Sequence, residues 1–155
     1  MAVYFVDSSA LVKRYVNEVG SAWVLGLFDS ALDSEIFVAA ITPVEIIAAI
    51  TRRARSGSIS VADAAMICNQ FRNDIQVDYQ VIEITEEIIQ SGMMLAEMRG
   101  LRGYDAVQLA AGCAINALSG ASGLPPIVFV SADNELNLAA ASEGLLVENP
   151  NNYPL

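Results

Sequence analysis

The chain has 155 residues, 54% of them apolar and 17% charged, and carries a net charge of −10. That length suits one compact unit able to bury a sizeable core, and a mean hydropathy of +0.45 excludes the low-hydrophobicity, high-charge signature of a disordered chain. Histidine is absent and lysine occurs once, at Lys13, which excludes Ser-His-Asp and Cys-His catalysis, HExxH zinc sites and any mechanism needing a lysine late in the chain.

The most apolar stretch, Ile36 to Ile50, is interrupted by Thr42, Pro43 and Glu45, short of the roughly 18 uninterrupted apolar residues of a membrane span. The N-terminus has no basic region and carries Asp7 where a signal peptide would be apolar. A soluble, cytoplasmic protein with no membrane partner is expected. Cys68 and Cys113 fall within apolar helical patterns far apart in sequence, so both read as reduced core residues.

Ala2 to Val6 is rich in β-formers and ends at Asp7-Ser8-Ser9, after which a helical pattern runs from Ala10 to Asn17. A helix over Ser21 to Ala31 follows Gly20, and Glu35 to Ala40 reads as a buried strand. Thr42 as N-cap with Pro43 at the first position starts a helix that is almost wholly apolar to Ile50, basic from Arg52 and stopped by Gly57. Ser60 caps the next, with Val61, Ala64, Ala65, Cys68, Phe71 and Ile75 as its apolar stripe. Val81 to Ile84 is a third strand. Thr85-Glu86-Glu87-Ile88 opens a helix closed near Gly100, and the helix after it carries Ala106, Leu109, Ala110, Cys113, Ala114 and Ala117 on its apolar face. Ser119 to Pro126 reads as a loop, Ile127 to Val130 as a strand, Asp133 to Ser142 as a helix and Leu145 to Val147 as a last strand.

Strands separated by helices, with continuous apolar character, indicate a mainly parallel sheet covered on both faces. The expected class is α/β, a three-layer α/β/α sandwich forming a single domain over residues 1–155. Ligands of such sheets bind outside the carboxyl ends of the strands.

Four acids fall where that rim is expected. Asp7 follows the first strand, Glu45 lies in the first turn after the second, Asp105 opens a helix, and Asp133 follows the strand Ile127 to Val130 by three residues. Each position has an ordinary explanation, since acids in first turns cap free N–H groups and meet the positive end of the helix dipole. Glu45 is harder to explain so, because Val44 precedes it and Ile46 to Ile50 follow without another polar residue; a carboxylate there loses hydration unless it has a partner or faces a cavity. Converging carboxylates repel unless a cation sits between them. Oxygen ligands without His or Cys select Mg²⁺ or Mn²⁺ over zinc, and such an ion suits phosphodiester hydrolysis without a protein nucleophile.

Val3-Tyr4-Phe5-Val6-Asp7-Ser8-Ser9-Ala10-Leu11, Ile41-Thr42-Pro43-Val44-Glu45, Leu101-Arg102-Gly103-Tyr104-Asp105-Ala106-Val107-Gln108-Leu109-Ala110, and Val130-Ser131-Ala132-Asp133 resemble, in order over nearly the whole chain, the PIN domain. The branch resembled is the toxin ribonucleases of VapBC type II toxin–antitoxin pairs. The resemblance implies a PIN-like, 5′-nuclease-like fold and a metal-dependent endoribonuclease whose catalytic and metal-binding acids are Asp7, Glu45, Asp105 and Asp133, with Asp7 and Asp105 the most dependable ligands. It also implies a small antitoxin partner and a homodimer, as in relatives. Asn137, one turn after Asp133, stands where some relatives carry a further acid, a departure from a fully acidic second metal position.

Ser8 and Ser131 lie beside the acids, placed to orient water or a carboxylate, although ordinary helix capping explains hydroxyls there equally well. The net charge opposes casual binding of nucleic acid, which rests on phosphate neutralisation. The basic residues nevertheless flank the acids: Lys13 and Arg14 after Asp7, Arg52, Arg53 and Arg55 after Glu45, Arg99 and Arg102 before Asp105. Lys13 and Arg14 are the candidates for RNA phosphate contact, and the acidic surround would receive a basic segment of an antitoxin. A dehalogenase-like phosphatase needs an acid where Ser9 stands, and the first strand leads into no glycine-rich phosphate loop. The remaining alternative is a catalytically silent PIN-fold module that only binds other proteins.

Overall fold

The computed structural model describes residues 1–155. Five strands, β1 (Val3–Val6), β2 (Glu35–Ala39), β3 (Gln80–Ile82), β4 (Val128–Val130) and β5 (Leu146–Glu148), form one wholly parallel sheet in the order β3-β2-β1-β4-β5. Phe5 pairs with Phe37 on one side and Phe129 on the other, which fixes the central register. The chain winds outward from β1 to β3, then returns to lay β4 against the free edge of β1. Connections therefore leave β1 and β4 in opposite directions, and a crevice opens between their carboxyl ends, the usual ligand position in open α/β sheets.

Seven helices link the strands: α1 (Ser8–Leu11), α2 (Ser21–Gly26), α3 (Thr42–Ser56), α4 (Val61–Val77), α5 (Glu86–Arg99), α6 (Gly103–Ala121) and α7 (Asn134–Ser142). Alternate residues of each strand point to opposite faces, and this divides the interior in two. Val3, Phe5, Ala39 and Phe129 pack against Leu95 of α5, Leu109 and Ala110 of α6 and Leu136 of α7. Val6, Ile36, Val38 and Val130 pack against Leu11 of α1, Ile46 and Ile50 of α3 and Phe71 of α4. Three layers follow from the two cores, as the sequence implies.

Several boundaries differ from the sequence expectation. The helix expected over Ala10 to Asn17 is α1 followed by a tight 3₁₀ turn at Val12–Arg14; Tyr15 leaves the spiral because its hydroxyl reaches Asp74 (2.8 Å) and Tyr79 (2.5 Å). The helix expected to reach Ala31 ends at Gly26, a poor helix former. Asp29 then caps a separate turn at Ser30–Leu32 by accepting from the Ala31 N–H. Thr42 is not an N-cap: it is fully buried within α3, and its hydroxyl accepts from Gln108 instead. Ser60 and Thr85 do cap, accepting from the Asp63 and Ile88 N–H groups.

Two apolar stripes also shift. On α4, Val61 is 78% exposed and Ala65 is exposed, while Ala64 and Phe71 are buried; Ala65 lies about 100° round the helix from Ala64. On α6, Ala114 and Ala117 face solvent, and the buried line runs through Ala106, Leu109, Gly112 and Ile115. Gly112 sits where α6 crosses the stacked rings of Phe5 and Phe129, and an added Cβ there would meet Phe129 Cδ2 at 2.8 Å. No helix is long and apolar enough to cross a membrane.

Candidate functional site

Asp7 ends β1 at the centre of the crevice. Its N–H donates to the Val130 carbonyl (3.0 Å), extending the β1–β4 ladder by one rung, and its side chain is almost wholly buried. Oδ1 accepts from the Ala10 N–H (3.0 Å) and from Ser9 Oγ (2.7 Å). Oδ2 accepts from Ser131 Oγ (2.7 Å). Three donors favour the charged form, but burial outweighs them, and with a small contribution from Asp105 it pushes the carboxyl up to about 6.

Asp105 lies in the first turn of α6, half-buried. Burial, then the negative charges of Asp133 and Glu45, push it up to about 6 as well. Asp133 caps α7, accepting from the Glu135 and Leu136 N–H groups at 2.9 and 3.1 Å, and its own N–H donates to Ser131 Oγ (3.1 Å). Ser131 thus joins Asp7 to the Asp133 turn. Glu45 lies in the first turn of α3 and accepts at Oε1 from Gln108 Nε2 (2.9 Å). Gln108 is fully buried on α6 and donates also to Thr42 Oγ1 (2.8 Å), while its own Oε1 is buried without a partner.

All four acids line one cleft of ≈ 310 Å³, together with Ser8 and Ser9. Ser8 makes no side-chain hydrogen bond; the serines that hold Asp7 are Ser9 and Ser131. Lys13 and Arg14 are not brought to the cleft. Lys13 is buried against Glu18 (3.4 Å). Arg14 donates to Asp78 (2.7 Å) and to the Tyr79 hydroxyl (2.7 Å), with its guanidinium carbon 3.9 Å from the centre of the Phe28 ring. The cations that line the cleft are Arg52, Arg53 and Arg102. Arg53 is committed to Glu18, whereas Arg52 and Arg102 have no carboxylate partner.

Sequence reasoning missed Ser9, Gln108 and the position of Tyr104 on the cleft wall. Gln108 carries the one legible signal: it is three residues after Asp105, hence on the same helical face, and polar within an otherwise apolar stretch of α6.

No three Asp, Glu or Cys side chains close on one point tightly enough to grip an ion by themselves. The donors nevertheless share a cleft, where the charges of Asp133 and Glu45 add to burial in raising Asp105. An all-oxygen set of this kind suits Mg²⁺ or Mn²⁺ held through one or two carboxylates with water filling the remaining positions, the usual habit of Mg²⁺.

No family model matches the chain. Among curated proteins, the ribonucleases VapC45 and VapC49 of Mycobacterium tuberculosis are each 29% identical to it over 150 residues, 95% of either chain. Among solved structures, PAE2754 from Pyrobaculum aerophilum superposes with a TM-score of 0.61 at 23% identity, over 94% of this chain and 83% of that one. A toxin–antitoxin complex from Klebsiella pneumoniae gives 0.61 at 16% identity, over 95% and 97%. VapBC2 from Rickettsia felis, bound to a DNA fragment from its promoter, gives 0.60 at 14% identity, over 95% and 98%. At those identities the likeness of structure speaks for the fold, a three-layer α/β/α sandwich common to all of them.

Proposed function

We propose that this chain, whose curated relatives are VapC ribonucleases, is itself a ribonuclease toxin that hydrolyses RNA phosphodiesters with Mg²⁺ or Mn²⁺ at the cleft of Asp7, Glu45, Asp105 and Asp133. The observation that carries this reading is the convergence of Asp7, Glu45, Asp105 and Asp133 on one cleft at the crevice between β1 and β4, where burial pushes Asp7 and Asp105 up to about 6. Strongly perturbed acids of this kind mark functional sites, and a cation among them favours the charged forms that burial and the neighbouring carboxylates oppose. The chemistry a hard divalent cation supplies there is acidification of water and neutralisation of phosphate charge.

The chain's own residues divide the remaining work. Ser9 and Ser131 hold both oxygens of Asp7 in one orientation. Gln108 holds Glu45. Arg52 and Arg102, free of carboxylate partners, offset the negative surround where RNA phosphates enter. The same unbalanced acids favour a protein partner bearing Arg or Lys, which supports an antitoxin whose basic segment occupies the cleft.

The test is cleavage of single-stranded and hairpin RNAs in Mn²⁺ by the wild-type protein, Asp7→Asn and Asp105→Asn. Cleavage lost in both variants, with Mn²⁺ binding weakened by calorimetry, supports the reading. Equal cleavage by all three means a contaminant and overturns it. Absence of cleavage in every sample favours the silent binding module, which the lack of a closed ligand cluster also favours.

A further inference from the structure

A second hollow of ≈ 400 Å³ adjoins the acid cleft along the outer side of α3. Its walls are Ile41, Val44 and Ala48 on one side and Tyr104 on the other, and Glu45 and Arg52 line both it and the cleft. Val44 is 69% exposed and Tyr104 46%, so nothing within the fold covers them. Tyr104 stands in the first turn of α6, next to Asp105, and its hydroxyl accepts from Arg102 Nη1 (3.3 Å). The cleft and the hollow thus place two kinds of surface side by side. One holds acids suited to a cation together with unpaired arginines; the other is apolar with an aromatic wall.

A nucleotide has the same two parts, an anionic phosphate and a flat base with apolar faces. Arg52, which has no carboxylate partner, lines both the cleft and the hollow and offers a cation to a phosphate between them. An RNA strand already engaged at the cleft meets the hollow by continuity, with no further docking step. We propose that the hollow is a subsite for one unpaired nucleobase flanking the scissile phosphate, stacked on the Tyr104 ring against Ile41 and Val44, with Arg52 on the adjoining phosphate. This rests on the ribonuclease reading and narrows it. A base held there has left its stack, so the substrate class is single-stranded RNA or the unpaired loop of a folded RNA.

Single-turnover cleavage in Mn²⁺ tests the subsite. The probes are a short unstructured RNA whose cut has been mapped, and copies with an abasic ribose at each nucleotide flanking the cut. Stacking of one base on an aromatic ring corresponds to roughly 5- to 150-fold in this assay. For the wild type, one abasic copy is slowed by that factor. Tyr104→Ala is slowed similarly on the intact RNA and shows no further penalty on that abasic copy, whereas Tyr104→Phe and Tyr104→Trp keep the wild-type rate.

Tyr104→Ala cutting at the wild-type rate, or losing equally on intact and abasic RNA, overturns the subsite while leaving the nuclease in place. Failure of the wild-type protein to cut any probe removes both. If an Arg-rich peptide requires Tyr104 for binding while RNA kinetics do not, the hollow belongs to a protein partner and the proposal falls.

Discussion

Asp7→Asn separates what the site needs from what the fold prefers. Folding takes the Asp7 carboxyl from an ordinary value of 3.8 to about 6, so the folded chain binds this proton more tightly than the unfolded one. Its contribution to stability is therefore complete below 3.8 and is lost as pH rises to about 6. A shift of about two units corresponds to ~3 kcal/mol at neutral pH in the absence of a cation. Asparagine removes the charge and keeps the shape. Its oxygen still accepts from the Ala10 N–H, and the Ser9 and Ser131 hydroxyls rotate to suit the new amide. Allowing for one poorer hydrogen bond, Asp7→Asn stabilises the metal-free protein by about 1–3 kcal/mol at pH 7. In a domain of this size that is a rise in Tm of roughly 2–12 °C.

Urea unfolding in EDTA at pH 7 and at pH 3.5 measures it. The variant gains at pH 7, the gain disappears at pH 3.5, and added Mn²⁺ stabilises the wild type more than the variant. An Asp7→Asn protein less stable than wild type at pH 7 without metal would refute the reasoning, since Asp7 would then be a net structural anchor.

Other expectations follow from the same geometry. Because Asp7 and Asp105 hold protons up to about pH 6 without metal, Mn²⁺ binding strengthens from pH 5 to 7 and releases protons, which calorimetry in buffers of different ionisation enthalpy detects. Gln108→Met leaves Glu45 and Thr42 without their shared donor and lowers cleavage or Mn²⁺ affinity by about 10–100-fold, as supporting hydrogen bonds around metal ligands commonly do. Arg14→Ala loses its bonds to Asp78 and Tyr79 and its place over Phe28, destabilising the fold by about 2–3 kcal/mol in urea titrations. Its single-turnover cleavage rate stays within about twofold of wild type at a temperature where both are folded. Gly112→Ala forces a methyl against Phe129 and costs about 1–3 kcal/mol by overpacking, seen as a lowered Tm with the cleft intact.

The fold was largely legible because five short β-rich runs alternate with helical patterns, and each run became a strand. The four acids were legible for a related reason: a side chain just past a strand or opening a helix reaches the rim of the sheet whatever the rest of the chain does. Ser9 and Gln108 were not, because their roles depend on partners far away in sequence; Ser9 Oγ accepts from the Ala132 N–H (3.0 Å), and Gln108 crosses from α6 to α3. Lys13 and Arg14 misled for the converse reason. They sit next to Asp7 in sequence, but the 3₁₀ turn carries them round to Glu18 and to the Tyr79 cluster. Arg52, which follows Glu45 by two turns of α3, does reach the cleft, because α3 runs past it.

The bond from Ser131 to Asp7 spans 124 positions of the chain, and β4 docks beside β1 only after α1 to α6 have been made. A nascent chain that ends before β4 therefore carries Asp7 and Ser9 without Ser131 or Asp133. The acid cleft is thus completed late in synthesis, when the returning strand supplies Ser131 and Asp133.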